Sequence, residues 1–400
     1  VLAFSWTALA PGDRTIESVL GMNTATSWGE FEDALELFVA PMQNIVYADV
    51  DGVVAYYAPA HVPIRAGGIG AVPTRGWTGE GDWIDQVPFD ALPHVVQPAS
   101  GRIVTANQRV VPEDYPYYLT RDWTAPYRAE RINALLDGQE RATVDYSVAT
   151  QLDQVSLMAR EFVPLAQNAP AATDGAKKLQ AMLVGFDGDM VMGSPAPLAF
   201  AAWYRRFAYS LYQDDLGPVT SSFFNLRPDL TRAILAGEPD WCDDKNTPGI
   251  ETCEQMAALA LDSAWAELVA AFGADTSKWS WGKAHQAVQE HAVLGSTPLA
   301  PIANLRVPNG GDGFSVDAAG YGLKFGNFDQ THGPGYRAVY DLAGGGGWFI
   351  HGTGQSGNLL SRRYRDFMDR WQQGDMIPMR MTRGEAEKGA VGTLRLQPAQ

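Results

Sequence analysis

Residues 101–132 read GRIVTANQRVVPEDYPYYLTRDWTAPYRAERI, a strand-like run followed by a helix entrance. Ile103, Val104 and Thr105 favour a strand through β-branching, whereas asparagine is depleted in strands, so Asn107 stands where local propensity disfavours it. A local mismatch of this kind marks a candidate site. The helix entrance after Trp123 carries Arg128 and Arg131. On residue type alone, Asn107 reads as a strand-end or turn residue and Arg128 as a surface arginine at a helix start.

Around this stretch the chain has 400 residues, 46% hydrophobic and 19% charged, enough for more than one ordinary domain core. The formal charge of -16, from 46 acidic against 30 basic residues, argues against nucleic-acid binding. No apolar run approaches the roughly 20 residues needed to span a bilayer, and no basic-then-apolar leader opens the sequence. The expectation is a soluble chain without a membrane partner. Cys242 and Cys253 lie in the polar stretch WCDDKNTPGIETCEQ, whose Pro and Gly allow a disulfide and equally leave two free thiols; zinc is disfavoured because no His lies nearby.

Residues 29–41, GEFEDALELFVAP, place Phe31, Leu35 and Phe38 at helical spacing, with Pro41 as the stop. NIVYADVDGVVAYYAPA predicts a hairpin around Asp51-Gly52, with Asp49 and Asp51 in a tight turn in preference to a calcium loop. From Pro59 to Pro98 the Gly, Pro and Trp content predicts an ordered surface loop. The middle is mainly helical, in SVATQLDQVSLMAREFVPLAQ, AKKLQAMLVGF, PLAFAAWYRRFAYSLYQ and CEQMAALALDSAWAELVAAFG. Short β-rich pieces and a last helix, SRRYRDFMDRWQQGD, follow residue 310. Strands at both ends around a helical insertion predict an α+β fold with one sheet system, divided as residues 1–140, 141–310 and 311–400.

Several motifs are decoys. GTGQSGN (352–358) lacks the Gly-x-Ser-x-Gly of a nucleophile elbow, and GGGGW (344–348) lacks the Lys and Ser or Thr of a phosphate loop; both read as turns. His285 and His291 are six residues apart, off a single helical face, and read as packed or capping histidines.

The stretches SGRIVTANQRVVPEDYPYYL and DWTAPYRAERI resemble a segment of penicillin acylases and N-acyl-homoserine lactone acylases. YADVDGVVAYYAPAHVPIR, GWTGEGDW, WSWGKAHQAVQEH, GDGFSVDAAG, YRAVYDL and TGQSGN resemble other landmarks of those enzymes in the same order. The resemblance covers nearly the whole chain. It implies an N-terminal-nucleophile hydrolase with a partial αββα sandwich, cut from a precursor into an α and a β chain. In that family the first residue of the β chain is a Ser that attacks the amide of an N-acylated small molecule, with its own α-amine as base. The resemblance places the family's oxyanion Asn on Asn107 and its site Arg on Arg128. The sequence opens Val1-Leu2-Ala3, so the nucleophile is expected on a segment outside it, with the α chain and the first part of the β chain as partners. Gln108 replaces a second Asn and Val110 a Pro. The resemblance further implies a structural calcium, held by the Pro63 carbonyl and the Asp122 carboxylate, no organic cofactor, a Cys242–Cys253 disulfide, and a periplasmic or secreted location. The competing expectation is a non-catalytic binding or structural module that keeps the fold without the nucleophile segment.

Overall fold

The computed structural model describes residues 2–139 and 141–398. They form two compact units, which meet in sequence between Pro126 and Tyr127.

In the first unit, helices α1 (Thr15–Thr24) and α2 (Trp28–Leu35) precede a hairpin of β1 (Ile45–Ala48) and β2 (Val54–Tyr57). The Ser27 hydroxyl accepts the Glu30 amide and so starts α2. The helix stops at Leu35, six residues before Pro41, because Leu35, Phe38 and Val39 turn into the core. The hairpin turn forms where the sequence predicts it: the Asp49 carboxylate accepts the amides of Asp51 (3.0 Å) and Val53 (2.9 Å), and Gly52 takes a φ of 88°. Asp49 thus spends Oδ1 on the turn and Oδ2 on the Tyr47 hydroxyl, in line with a turn and not an ion site.

The expected surface loop over 59–98 holds more order than its composition predicts. β3 (Pro63–Arg65) pairs antiparallel with β4 (Trp83–Gln86), and β5 (His94–Val96) joins the hairpin in a sheet ordered β1-β2-β5. Gly and Pro sit mainly between these three short strands, which is why composition alone reads as loop. Tyr57 packs between Phe89 and His94, with ring centroids 4.5 and 5.0 Å away, over a core of Leu35, Val87 and Leu92.

The second unit begins with α3 (Tyr127–Asp137), α4 (Val144–Gln151), α5 (Leu157–Asn168), α6 (Asp174–Met182) and α7 (Ala196–Ser210). Nearly all of α7 is buried, and it packs on the helix Cys253–Phe272, which a Thr252/Gln255 capping box opens. Alanines 199, 201, 202, 257, 260 and 264 let these backbones approach, and the indole of Trp203 donates to the Ala257 carbonyl at 3.0 Å. Arg205 is fully buried within α7. Its charge is met by Glu267 and by the Gly322 and Asn327 carbonyls, and the guanidinium lies 4.2 Å from the Phe328 ring.

Strands β6 (Gln286–Gln289), β7 (Leu305–Pro308), β8 (Gly320–Tyr321) and β9 (Gln330–His332) form a sheet ordered β7-β6-β9-β8. Strands β10 (Tyr336–Asp341), β11 (Gly346–His351) and β12 (Ile377–Pro378) form another. Among the described residues the strands therefore make four separate sheets in place of one sheet system. Of GGGGW, expected as a turn, only Gly344 and Gly345 lie in the turn between β10 and β11, while Gly346, Gly347 and Trp348 open β11 and pair with Asp341, Tyr340 and Val339; GTGQSGN is irregular chain after β11. His285 stacks on Trp281 at 4.3 Å and bonds the Phe328 carbonyl, while His291 Nδ1 accepts the amides of Val293 and Leu294. One histidine is packed and the other caps a turn, as their spacing suggests. The architecture is α+β.

Candidate active site

Asn107 lies on a long loop between β5 and the end of the first unit, and the strand expected over Ile103–Thr105 is absent there. The reason is local. The run is bounded by two left-handed residues, Gly101 at φ 66° and Asn107 at φ 67°. The ladder groups within it are also taken: the Gln108 side chain accepts the Ala106 amide (2.7 Å) and donates to the Val104 carbonyl (3.3 Å). The residue that departs from the family pattern is therefore a brace for the turn that carries Asn107.

Among the described residues, Asn107 and Gln97 are the two non-glycine residues with positive φ. Gln97, at φ 50°, closes the end of β5, with its amide on the Val54 carbonyl and its side chain on the Gly52 carbonyl. Its conformation is explained by the sheet edge. Asn107 is exposed, and its carbonyl accepts the Thr124 amide at 3.1 Å. Asparagine tolerates the left-handed region better than most residues, and such conformations concentrate at functional sites where the surroundings hold them.

Two grooves flank this turn, both within the first unit. One, of about 450 Å³, is largely apolar, with Tyr56, Val95, Ile103, Val104 and Val110 in its walls. The other, of about 500 Å³, is lined by Arg109, Arg121 and a set of aromatic rings. Tyr115 anchors the loop by donating to the Ala91 carbonyl at 2.7 Å, and Tyr117 meets it edge-on with centroids 5.8 Å apart.

Arg128 is the second residue of α3, in the second unit, so the two proposed site residues belong to different compact units. It is half-buried, and burial draws its guanidinium below the ordinary arginine value, though arginine stays charged at neutral pH. The first turn of α3 is fastened by a network that sequence reading missed. Buried Tyr127 donates to Glu161 of α5 at 2.6 Å, and Arg232, on the helix Pro228–Gly237, grips both Glu161 oxygens and the Tyr127 hydroxyl. Burial and the Glu161 carboxylate push the Tyr127 phenol up, while Arg232 draws the Glu161 carboxyl down. Arg131, three residues along α3, forks onto Asp153 at 2.9 and 2.6 Å and is an ion-paired residue. No periodicity in one segment connects positions 127, 161 and 232; only the packing of three helices does.

Pro63 heads β3 opposite Gln86, and Asp122 is exposed, with its amide on the Thr120 hydroxyl. No group of three His, Cys, Asp or Glu residues able to share a metal occurs among the described residues. The Pro63 carbonyl and a bidentate Asp122 carboxylate would supply at most three of the six to eight oxygens that calcium takes, so these two residues do not complete such a site by themselves. Cys242 and Cys253 are joined as a disulfide, with Cα atoms 4.9 Å apart and no free cysteine among the described residues. No helix of the described residues is long and apolar enough to cross a membrane.

The chain is similar in sequence and fold to known proteins. The Penicillin amidase family profile matches residues 1–388. An acyl-homoserine lactone acylase, QuiP, of Pseudomonas fluorescens is 28% identical over 394 residues, covering 92% of this chain and 47% of that protein. The penicillin acylase 2 proenzyme of a Pseudomonas species is 29% identical over 411 residues, covering 98% of this chain and 50% of that protein. The chain thus spans about half the length of these curated relatives. In three dimensions it is similar to a thermostable penicillin G acylase from Alcaligenes faecalis, with a TM-score of 0.68 and 22% identity over 97% of this chain and 73% of that one. That likeness identifies the N-terminal-nucleophile hydrolase fold. With a profile match running through 388 of its 400 residues, the chain belongs to the penicillin amidase family.

Proposed function

We propose that this chain supplies the oxyanion side of an amidohydrolase that cleaves the linear amide of an N-acylated small molecule, a β-lactam or an acyl-homoserine lactone. The observation that carries the reading is the exposed, left-handed Asn107, held through its carbonyl by Thr124 and braced by Gln108. Family membership and the names of the relatives support it.

In this proposal the attacking group is a Ser at the head of the β chain, on a segment outside these 400 residues. Its hydroxyl adds to the amide carbon while its own α-amine takes the proton. That amine suits the task, since α-amino groups titrate near 7.7 to 8.0. The carbonyl oxygen becomes an oxyanion, and the Asn107 side-chain N–H donates to it. The donor is useful because it is already placed when the charge develops. Arg128 contributes a fixed cationic fork that orients the substrate or its neighbours. Collapse of the adduct expels the amine, which the proton reaches, and leaves an acyl-serine for water. The apolar groove beside Val104 and Tyr56 is the proposed seat of the acyl group.

The α chain and the first part of the β chain are the proposed partners. A structural calcium using the Pro63 carbonyl and Asp122 belongs to the proposal only if other segments bring most of its oxygens, and no step depends on it. A periplasmic or secreted location accords with the Cys242–Cys253 disulfide. The decisive experiment expresses the full-length precursor, follows its self-processing, and compares wild type with Asn107→Ala on an acyl-amide substrate. Loss of turnover in a folded variant supports the reading, and undiminished turnover refutes it.

A further inference from the structure

Beside the Asn107 turn lies a groove whose chemistry differs from that of its apolar neighbour. Its walls include Tyr115, Tyr117, Tyr118 and Trp123, and Arg109 and Arg121 stand among them. Among the described residues no acidic side chain lines it, in a chain with 46 acidic and 30 basic residues. The nearby carboxylates in sequence, Glu113, Asp114 and Asp122, are exposed on the same loop but outside the lining.

Backbone geometry ties this groove to the turn. Arg109 is two residues beyond Asn107, and Trp123 precedes Thr124, whose amide binds the Asn107 carbonyl at 3.1 Å. The Arg109 guanidinium is held by a bond to the Pro112 carbonyl at 3.0 Å, which fixes one edge. Arg109 and Val111 also line the apolar groove, so the two share a wall. A guanidinium fork matches the two oxygens of a carboxylate, and aromatic faces suit a ring or an apolar body attached to it.

We propose that this Arg109/Arg121 groove is the leaving-group subsite, and that it selects amides whose released amine carries a carboxylate over those whose released amine carries none, such as an amino-lactone. The assignment rests on the amidohydrolase reading above and adds the substrate class to it. With the acyl group in the apolar groove, the amine portion extends across the Asn107 turn, and its carboxylate meets the two arginines.

The test uses the full-length, self-processed enzyme and reads product binding by calorimetry, which does not require turnover. L-Phenylalanine and L-phenylalaninamide are the matched amine probes; adipate and hexanoate are the matched acid probes. The expected result is a preference for phenylalanine over its amide that falls about tenfold in Arg109→Gln/Arg121→Gln, as charged hydrogen bonds of this kind predict. That preference also shrinks as salt rises, and the adipate-to-hexanoate ratio is unmoved. Arg121→Gln alone, an exposed change, shows the same direction if the double variant misfolds. An unchanged amine preference in a folded variant overturns the subsite, as does loss confined to the acid pair. Arg-dependent preference in an enzyme that cleaves no acyl amide keeps the subsite and removes the amidohydrolase reading. Turnover with no such preference does the reverse.

Discussion

The carbonyl of Asn107 accepts the amide of Thr124 at 3.1 Å, which fixes a left-handed residue against the segment leading to α3. The backbone that carries the Asn107 side chain is therefore held in place before any substrate arrives. This is the property an oxyanion donor needs, because a donor that must reorganise loses part of its benefit.

Asn107→Ala and Asn107→Gly separate this role from a purely local one. Alanine keeps a strained positive φ, at a cost of roughly 1 kcal/mol or more, whereas glycine relieves it. Both remove the amide. In the self-processed enzyme, kcat is expected to fall roughly a hundredfold or more in both variants, with Tm lowered only for alanine. A glycine variant with near-normal kcat would return Asn107 to a mere turn residue.

Gln108→Ala tests the brace. It removes the acceptor that the Gln108 side chain gives the amide of buried Ala106, and with it a hydrogen bond of about 1 kcal/mol. Urea unfolding is expected to show that decrease, and kcat should drop less than in Asn107→Gly because the donor itself remains. Equal stability of Gln108→Ala and wild type would contradict the geometry.

Arg128→Lys replaces a planar fork on the first turn of α3 by a point charge. The expected outcome is a clear fall in kcat/KM with little change in Tm, since the Tyr127–Glu161–Arg232 network still anchors the helix start. Unaltered kinetics would remove Arg128 from the site.

The disulfide closes a short loop, with a sequence separation of 11. Loop entropy puts its stabilisation at about 3 kcal/mol at most. Cys242→Ser/Cys253→Ser is expected to lower stability by up to that amount, and mass spectrometry of non-reduced protein should find no free thiol. Two reactive thiols in the native protein would contradict the pairing.

Two buried groups set the acid response in opposite senses. Burial lowers His285 from 6.5 to about 4, so its contribution is present above pH 6.5 and fades as pH falls towards 4. Burial raises Asp312 from 3.8 to about 6, so the fold gains stability from its protonation as pH falls from 6 towards 3.8. Asp312→Asn keeps an oxygen to accept the Phe314 and Ser315 amides but removes the titration. Stability of this variant, followed by urea unfolding from pH 7 to 4.5, should decline more steeply than that of wild type; a shallower decline would refute the assignment.

What the sequence by itself determined was local. Periodicity set main helices such as Leu157–Asn168 and Cys253–Phe272, because one buried stripe dictates an apolar residue every three or four positions. Asp51-Gly52 set the β1–β2 turn, since few residues accept its backbone. The ordered landmarks pointed to the family, and the strand-poor Asn marked position 107. Only the tertiary structure decided that Ile103–Thr105 forms no ladder, because Gln108 takes the groups that a partner strand would need. It also decided that residues 63–65, 83–86 and 94–96 find one another or the hairpin, and that Tyr127, Glu161 and Arg232 converge. Those relations depend on segments tens of residues apart, and hydrogen bonds between such segments leave no period in a chain.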